Sequence, residues 1–141
     1  MAEYDTDNVF AKILRGEFPC HRVHEDDKTL VIMDIMPRIE GHALVIPKAE
    51  SRNILDISTR DLSALYIKVQ QVSRAAMKAF AADGITVQQF NESAGGQVIF
   101  HSHVHVLPRH KGVPLKPHTG ERAADAVLAA HAAKLRAALK G

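Results

Sequence analysis

The run His101-Ser102-His103-Val104-His105-Val106-Leu107 alternates polar and apolar residues with a period of two. That is the period at which a β-strand sends successive side chains to opposite faces. Read as a strand, it turns three imidazoles to one side and anchors Val104 and Val106 in a core on the other. A row of titratable rings is costly to bury unless each finds a partner, so an ordinary amphipathic strand explains the pattern poorly. Chemistry is therefore expected here. At about 3.3 Å of rise per residue, neighbouring histidines stand roughly 6.6 Å apart and His101 and His105 about 13 Å apart. This spacing suits groups acting along an extended ligand such as a phosphate ester, and suits a mononuclear three-histidine zinc site less well.

The rest of the chain supplies an α+β frame for that strand. Asp7 or Asn8 caps a short helix carrying Val9, Phe10, Ile13 and Leu14, which Gly16 stops. Strands around Arg22-Val23-His24 and Thr29 to Met33 flank a hairpin turn at Glu25-Asp26-Asp27-Lys28, and His42 to Ile46 forms a third strand ended by Pro47. From Ser58 to Ala82, apolar residues recur at three and four, predicting a long helix capped by Ser58 or Thr59 and closed by Asp83-Gly84. Ile85 to Asn91 is a fourth strand and the histidine strand a fifth. Between them, Glu92 to Gln97 is a turn able to bring backbone N–H groups to an anion, although a glycine pair alone signals only a tight turn. After Pro108 a coil reaches Gly120 and can drape over the site; Glu121 to Lys140 is an alanine-rich helix.

The 141 residues suit a single domain, with its core at 8–109 and a coil and helix at 110–141. A net charge of +2, from 18 basic and 16 acidic residues, argues against a general nucleic-acid binder while allowing a local phosphate site. Cys20 is the one cysteine, so no internal disulfide forms, and the start Met1-Ala2-Glu3-Tyr4-Asp5 is unlike a secretory signal. No apolar run approaches the ~20 residues that cross a bilayer. A soluble cytoplasmic protein is expected.

The histidine run, continued by Pro108-Arg109, resembles the His-x-His-x-His-x-x signature of the histidine triad (HIT) nucleotide hydrolases and transferases. Gly41 to Lys48, Met33-Asp34-Ile35, and Asn91 with Gly95-Gly96-Gln97 extend the likeness over roughly Asn8 to Arg109. The resemblance implies a HIT-like fold: an antiparallel five-stranded sheet with helices on one side, usually paired as a homodimer. It implies that His103 attacks the α-phosphorus and is transiently nucleotidylated. His105 would then bind the phosphate and help the leaving group, while His101 and His42 orient the row. Asp34 would accept from the ribose hydroxyls, Asn91 and Gln97 would hold phosphate oxygens, and Val9, Phe10, Ile13, Ile32, Met33 and Ile35 would line the base pocket or simply fill the core. Val98 stands where many relatives carry Ser or Thr for the leaving group; Ser93 and Ser102 are nearby hydroxyls. Where zinc-binding relatives carry two cysteines and a histidine, this chain has Asn8, Ala11 and Glu50, so neither zinc nor a cofactor is expected. His21, His24, His110, His118 and His131 are read as solvated surface residues.

These features imply a hydrolase of nucleoside phosphoramidates or related AMP derivatives, with a purine nucleotide or adenylated small molecule as its partner. A dinucleoside polyphosphate hydrolase of the same family is the alternative enzyme. Two other classes compete: a nucleotide-binding interaction module with incidental catalysis, and a metal protein using His101, His103 and His105. Against the last, no further acidic or histidine ligand follows this strand before His110.

Overall fold

A computed structural model describes residues 2–117 and 120–141, so His118 lies outside the described residues. Five antiparallel strands form one sheet in the order β1-β2-β3-β5-β4. They are β1 (Arg22–Glu25), β2 (Thr29–Met33), β3 (Ala43–Pro47), β4 (Gly84–Gln88) and β5 (Val104–Arg109). The β1–β2 turn forms because the Asp26 carboxylate accepts from the backbone N–H groups of Lys28 and Thr29, a side-chain mimic of a backbone turn.

Alternation sorts the sheet into two apolar faces. On one, Val31, Met33, Ala43, Val45, Val104 and Val106 pack under α2 (Thr59–Ala79) and α3 (Asp125–Lys140), which contribute Leu65, Val69, Val72, Leu128 and Leu135. On the other, Leu30, Ile32, Leu44 and Ile46 pack with Phe10 of α1 (Val9–Leu14). The two long helices thus share one side, as expected, and short α1 lies opposite. Asn8 is its cap, its side chain accepting from the Ala11 N–H.

Several element ends differ from the sequence reading. Helix α2, predicted to Ala82, ends at Ala79, and Ala81 rather than the Asp83-Gly84 pair takes the positive φ that reverses the chain. The reason is packing: Phe80 turns in against Gly41, where a Cβ would lie 2.6 Å from the Phe80 ring. Helix α3 begins at Asp125 instead of Glu121, and β4 stops at Gln88 instead of Asn91. The histidine strand begins at Val104, not His101. Ladder pairing is confined to residues from Val104 onward, and the Ser102 N–H goes instead to Ser51 O at 2.9 Å.

The coil after β5 does drape: Lys116 and Arg38 exchange backbone and guanidinium hydrogen bonds, and the Ala123 N–H reaches Ile35 O. Four histidines assigned to solvent, His21, His24, His110 and His131, are half-buried. His131 meets Phe80 edge-on, and His21 reaches the Asp125 carboxylate at 3.1 Å. Among the described residues no helix is long and apolar enough to cross a membrane.

Candidate active site

Phe10, His103, His105 and His42 form a row of rings on the α1 side of the sheet, meeting edge-on or tilted with centroids 4.8, 5.1 and 5.1 Å apart in turn. His101 lies beyond Phe10 and meets it edge-on at 6.4 Å. All four histidines are buried. Each ring's hydrogen bonds then fix its tautomer.

His103 Nδ1 lies 2.7 Å from the carbonyl oxygen of His101, an acceptor only. Its proton is therefore on Nδ1, and Nε2 carries the lone pair. Burial holds the His103 pKa down at about 4, so the ring stays neutral. His101 is likewise pushed down by burial; its Nε2–H donates to Pro47 O at 2.8 Å, and its Nδ1 accepts from the Tyr4 hydroxyl. A second chain of bonds runs from the other end. The Arg38 backbone N–H donates to His42 Nδ1 at 3.1 Å, so His42 Nε2 carries a proton and gives it to His105 Nδ1 at 2.9 Å. That leaves the His105 proton on Nε2.

Asp34 sits at the His42 end. One carboxylate oxygen lies 3.5 Å from His42 Nε2, and the other accepts the Met36 N–H at 2.9 Å. Burial raises its pKa. Asp34, His42 and His105 bring ligand atoms within 4.8 Å of one another. In the arrangement found, the facing nitrogens of the two imidazoles share a proton bond, so a cation could use this trio only by breaking it.

The loop before the histidines is stitched to residues 51–56. All four hydrogen-bonding positions of the Gln97 amide are taken within the protein. Its NH2 donates to Arg52 O and Ile99 O, and its oxygen accepts from Asn53 Nδ2 and the Glu92 N–H. Gln97 therefore shapes the loop and does not offer itself to phosphate, contrary to the sequence reading. Asn91 is also engaged, accepting the Ile54 N–H at 2.9 Å. Glu92 adopts φ 65° and ψ 160°, a region strained for any residue with a side chain. Its carboxylate is gripped by the Arg52 guanidinium at 2.8 and 3.2 Å and by Asn53, and Arg52 stacks on Phe100. Gly96 follows at φ 96°, with Phe90 so close that a Cβ would stand 3.1 Å from its ring.

Of the expected base-pocket residues, Phe10, Ile13 and Ile32 share the apolar cluster on the histidine side, and Ile35 is 41% exposed. Met33 is not among them: its side chain belongs to the core beneath α2 and α3, because it is one residue out of phase with Ile32. Ser102 is buried and paired with Ser51, so it is a strut, and Val98 is 84% exposed. Sequence reasoning missed Tyr4, Arg52, Asn53 and Glu92, whose partners lie 39 to 97 residues away along the chain. No local pattern marks them.

The neutral burial of His103 has a pH signature. An unfolded histidine titrates near ~6.5, so between that value and about 4 the unfolded chain binds the extra proton. Stability should thus be full above about pH 6.5 and fall as the pH drops towards 4, by roughly 3 kcal/mol from this residue alone. Urea melts of the wild type and of His103→Phe across pH 4–7 would check it. The variant should lose less on acidification, and identical slopes would contradict the buried neutral ring.

Residues 15–112 match the family model described as HIT domain. The adenylylsulfatase HINT3 of Arabidopsis thaliana is 42% identical over 103 residues, covering 73% of this chain and 52% of that longer protein. Among solved structures, a Hit-like protein involved in cell-cycle regulation from Bartonella henselae is 47% identical with a TM-score of 0.93, covering 97% of this chain and 99% of that one. A hypothetical histidine triad nucleotide-binding protein from Sulfolobus tokodaii is 30% identical with a TM-score of 0.84, covering 93% of this chain and 91% of that one.

Proposed function

From a chain that belongs to the HIT family, we propose a nucleotide hydrolase that cleaves nucleoside 5′-phosphoramidates or related AMP derivatives through a nucleotidyl-histidine intermediate. The observation that carries this reading is the His103 tautomer. With its proton tied to the His101 carbonyl and its charge suppressed by burial, Nε2 is a neutral nucleophile at physiological pH. Its lone pair attacks the α-phosphorus as the bond from phosphorus to the leaving group breaks, with the His105 Nε2–H bonding the phosphate oxygens as charge builds there, and the departing amine takes its proton from water. Water then attacks the phosphorus of nucleotidyl-His103, its proton passes to solvent, and the nucleoside monophosphate leaves with His103 restored. Hydrogen bonding through His42 holds His105 in the tautomer that presents its Nε2–H to the phosphate in both steps.

Phe10, Ile13 and Ile32 would receive the base, and Asp34 the ribose hydroxyls. Asn91 and Gln97 would act at one remove, by fixing the loop over the phosphate. The homodimer implied by the family is part of this reading: Ile67 and Met77 on α2 and Val87 on β4 leave apolar surface exposed. The plant relative's name adds adenylyl sulfate to the candidate substrates.

A substrate panel tests the proposal. Adenosine 5′-phosphoramidate, adenylyl sulfate and a diadenosine polyphosphate would be incubated with the full chain and the quenched protein examined by mass spectrometry. Turnover of the first or second with an adenylyl adduct on His103 is expected. Preference for the polyphosphate would move the assignment to the alternative enzyme, and no turnover of any would leave a binding module.

A further inference from the structure

On the side of the sheet away from the histidine row, α2, α3 and β1 enclose a cleft of about 640 Å3. Its walls carry Lys68, Arg74 and Lys78 from α2 and Arg136 and Lys140 from α3, and Val23 and Ala75 are among its apolar lining residues. Arg74 and Lys78 are four residues apart on one helix, as are Arg136 and Lys140 on the other. Such like-charged pairs face along a helix surface and repel. Here two of them border the same concavity.

The acidic groups nearby are already engaged. Glu25 pairs with Lys48 and Arg22, and Asp26 pairs with Lys68 and His24. Among the described residues, Arg74, Lys78, Arg136 and Lys140 have no ion pair with an Asp or Glu side chain, and Gly141 lines the cleft beside Lys78. Arg136 is nonetheless held in place, its guanidinium donating to the carbonyl oxygens of Arg22 and Val23. A merely solvated charged face would need neither the concavity nor an anchored arginine.

We propose that this cleft binds a compact oligophosphate, an anion of two or more linked phosphate groups. Residues four apart on a helix are separated by about 6 Å of rise, so each wall offers cations at about the span from the first to the third phosphate of a linked chain, and both walls can grip one chain of them. Arginine supplies a planar fork for phosphate oxygens and lysine a point charge. An extended nucleic acid is disfavoured by the small net charge of +2. The terminal phosphates of a nucleotide and a free inorganic oligophosphate share this chemistry.

The test is calorimetry on the full chain at low ionic strength, with inorganic triphosphate as the probe. One triphosphate per chain is expected, with affinity reduced about tenfold or more in Arg74→Gln/Lys78→Gln and again in Arg136→Gln/Lys140→Gln, through lost charge-assisted bonds. The second pair keeps the test decisive if the first disturbs α2. Turnover of adenosine 5′-phosphoramidate should be unchanged in both variants and uninhibited by triphosphate. Tighter binding of adenosine triphosphate, lost in the same variants, would identify a nucleotide seated on the apolar lining; equal binding would identify the bare oligophosphate. Absence of binding, unaltered affinity in the variants, or competition with turnover would overturn the proposal, the last by placing the anion at the histidine row.

Discussion

Replacing His103 with Ala should lower turnover by at least about a thousandfold while changing nucleotide affinity little. The substitution removes the only lone pair in the row that is both free of a proton and paired to a fixed Nδ1–H, and no neighbour can replace it. The Nε2 atoms of His101 and His42 each carry a proton donated to a fixed acceptor. The base and ribose contacts proposed for Phe10, Ile13, Ile32 and Asp34 are untouched, so binding persists as chemistry stops. Removing a ring that packs on Phe10 also leaves a cavity, and a melting curve must show that the variant is folded before the rates are compared. Steady-state rates and calorimetric titration of a non-hydrolysed AMP analogue make the measurement. Unchanged turnover in a folded variant would remove the nucleophile assignment.

What the sequence revealed and what it hid follow from the range of the interactions. The histidine alternation and the Val104 and Val106 anchors are local facts of a strand, and they appear where period two puts them. The same period, applied strictly, separates Ile32 from Met33, so grouping both in one pocket contradicted the rule that had found the strand. The beginning of β5 is illegible for a different reason: residues 101–103 continue the alternation outside the ladder, with the Ser102 N–H on Ser51 in the loop after β3 and the His101 ring on Pro47 at the end of β3. Gln97 and Glu92 show the remaining gap. Their side-chain chemistry suggested phosphate contacts or a simple turn, yet what they do is set by Arg52 and Asn53, about forty residues earlier. Propensity and spacing carry no information about such partners.

Asp34→Asn should weaken ribonucleotides about tenfold to a hundredfold and leave 2′,3′-dideoxynucleotides nearly unaffected. A carboxylate accepts without donating, which matches two vicinal hydroxyl donors, and loss of a charge-assisted hydrogen bond costs roughly 1.5 to 3 kcal/mol. The structure sharpens the test, because one Asp34 oxygen serves the turn by accepting the Met36 N–H. Asparagine retains an oxygen for that bond, so the substitution isolates the second oxygen, the one directed at His42. Burial pushes the Asp34 pKa up, so the fold disfavours the carboxylate relative to the unfolded chain. Carrying the charge at neutral pH therefore costs the ligand-free protein stability. Asparagine removes that cost, and the ligand-free variant should melt no lower than the wild type. Calorimetry with both ligand types on the folded variant, beside a thermal melt, separates the roles. Equal weakening of the two nucleotides together with a lower melting temperature would assign Asp34 to the turn at Met36-Pro37 alone.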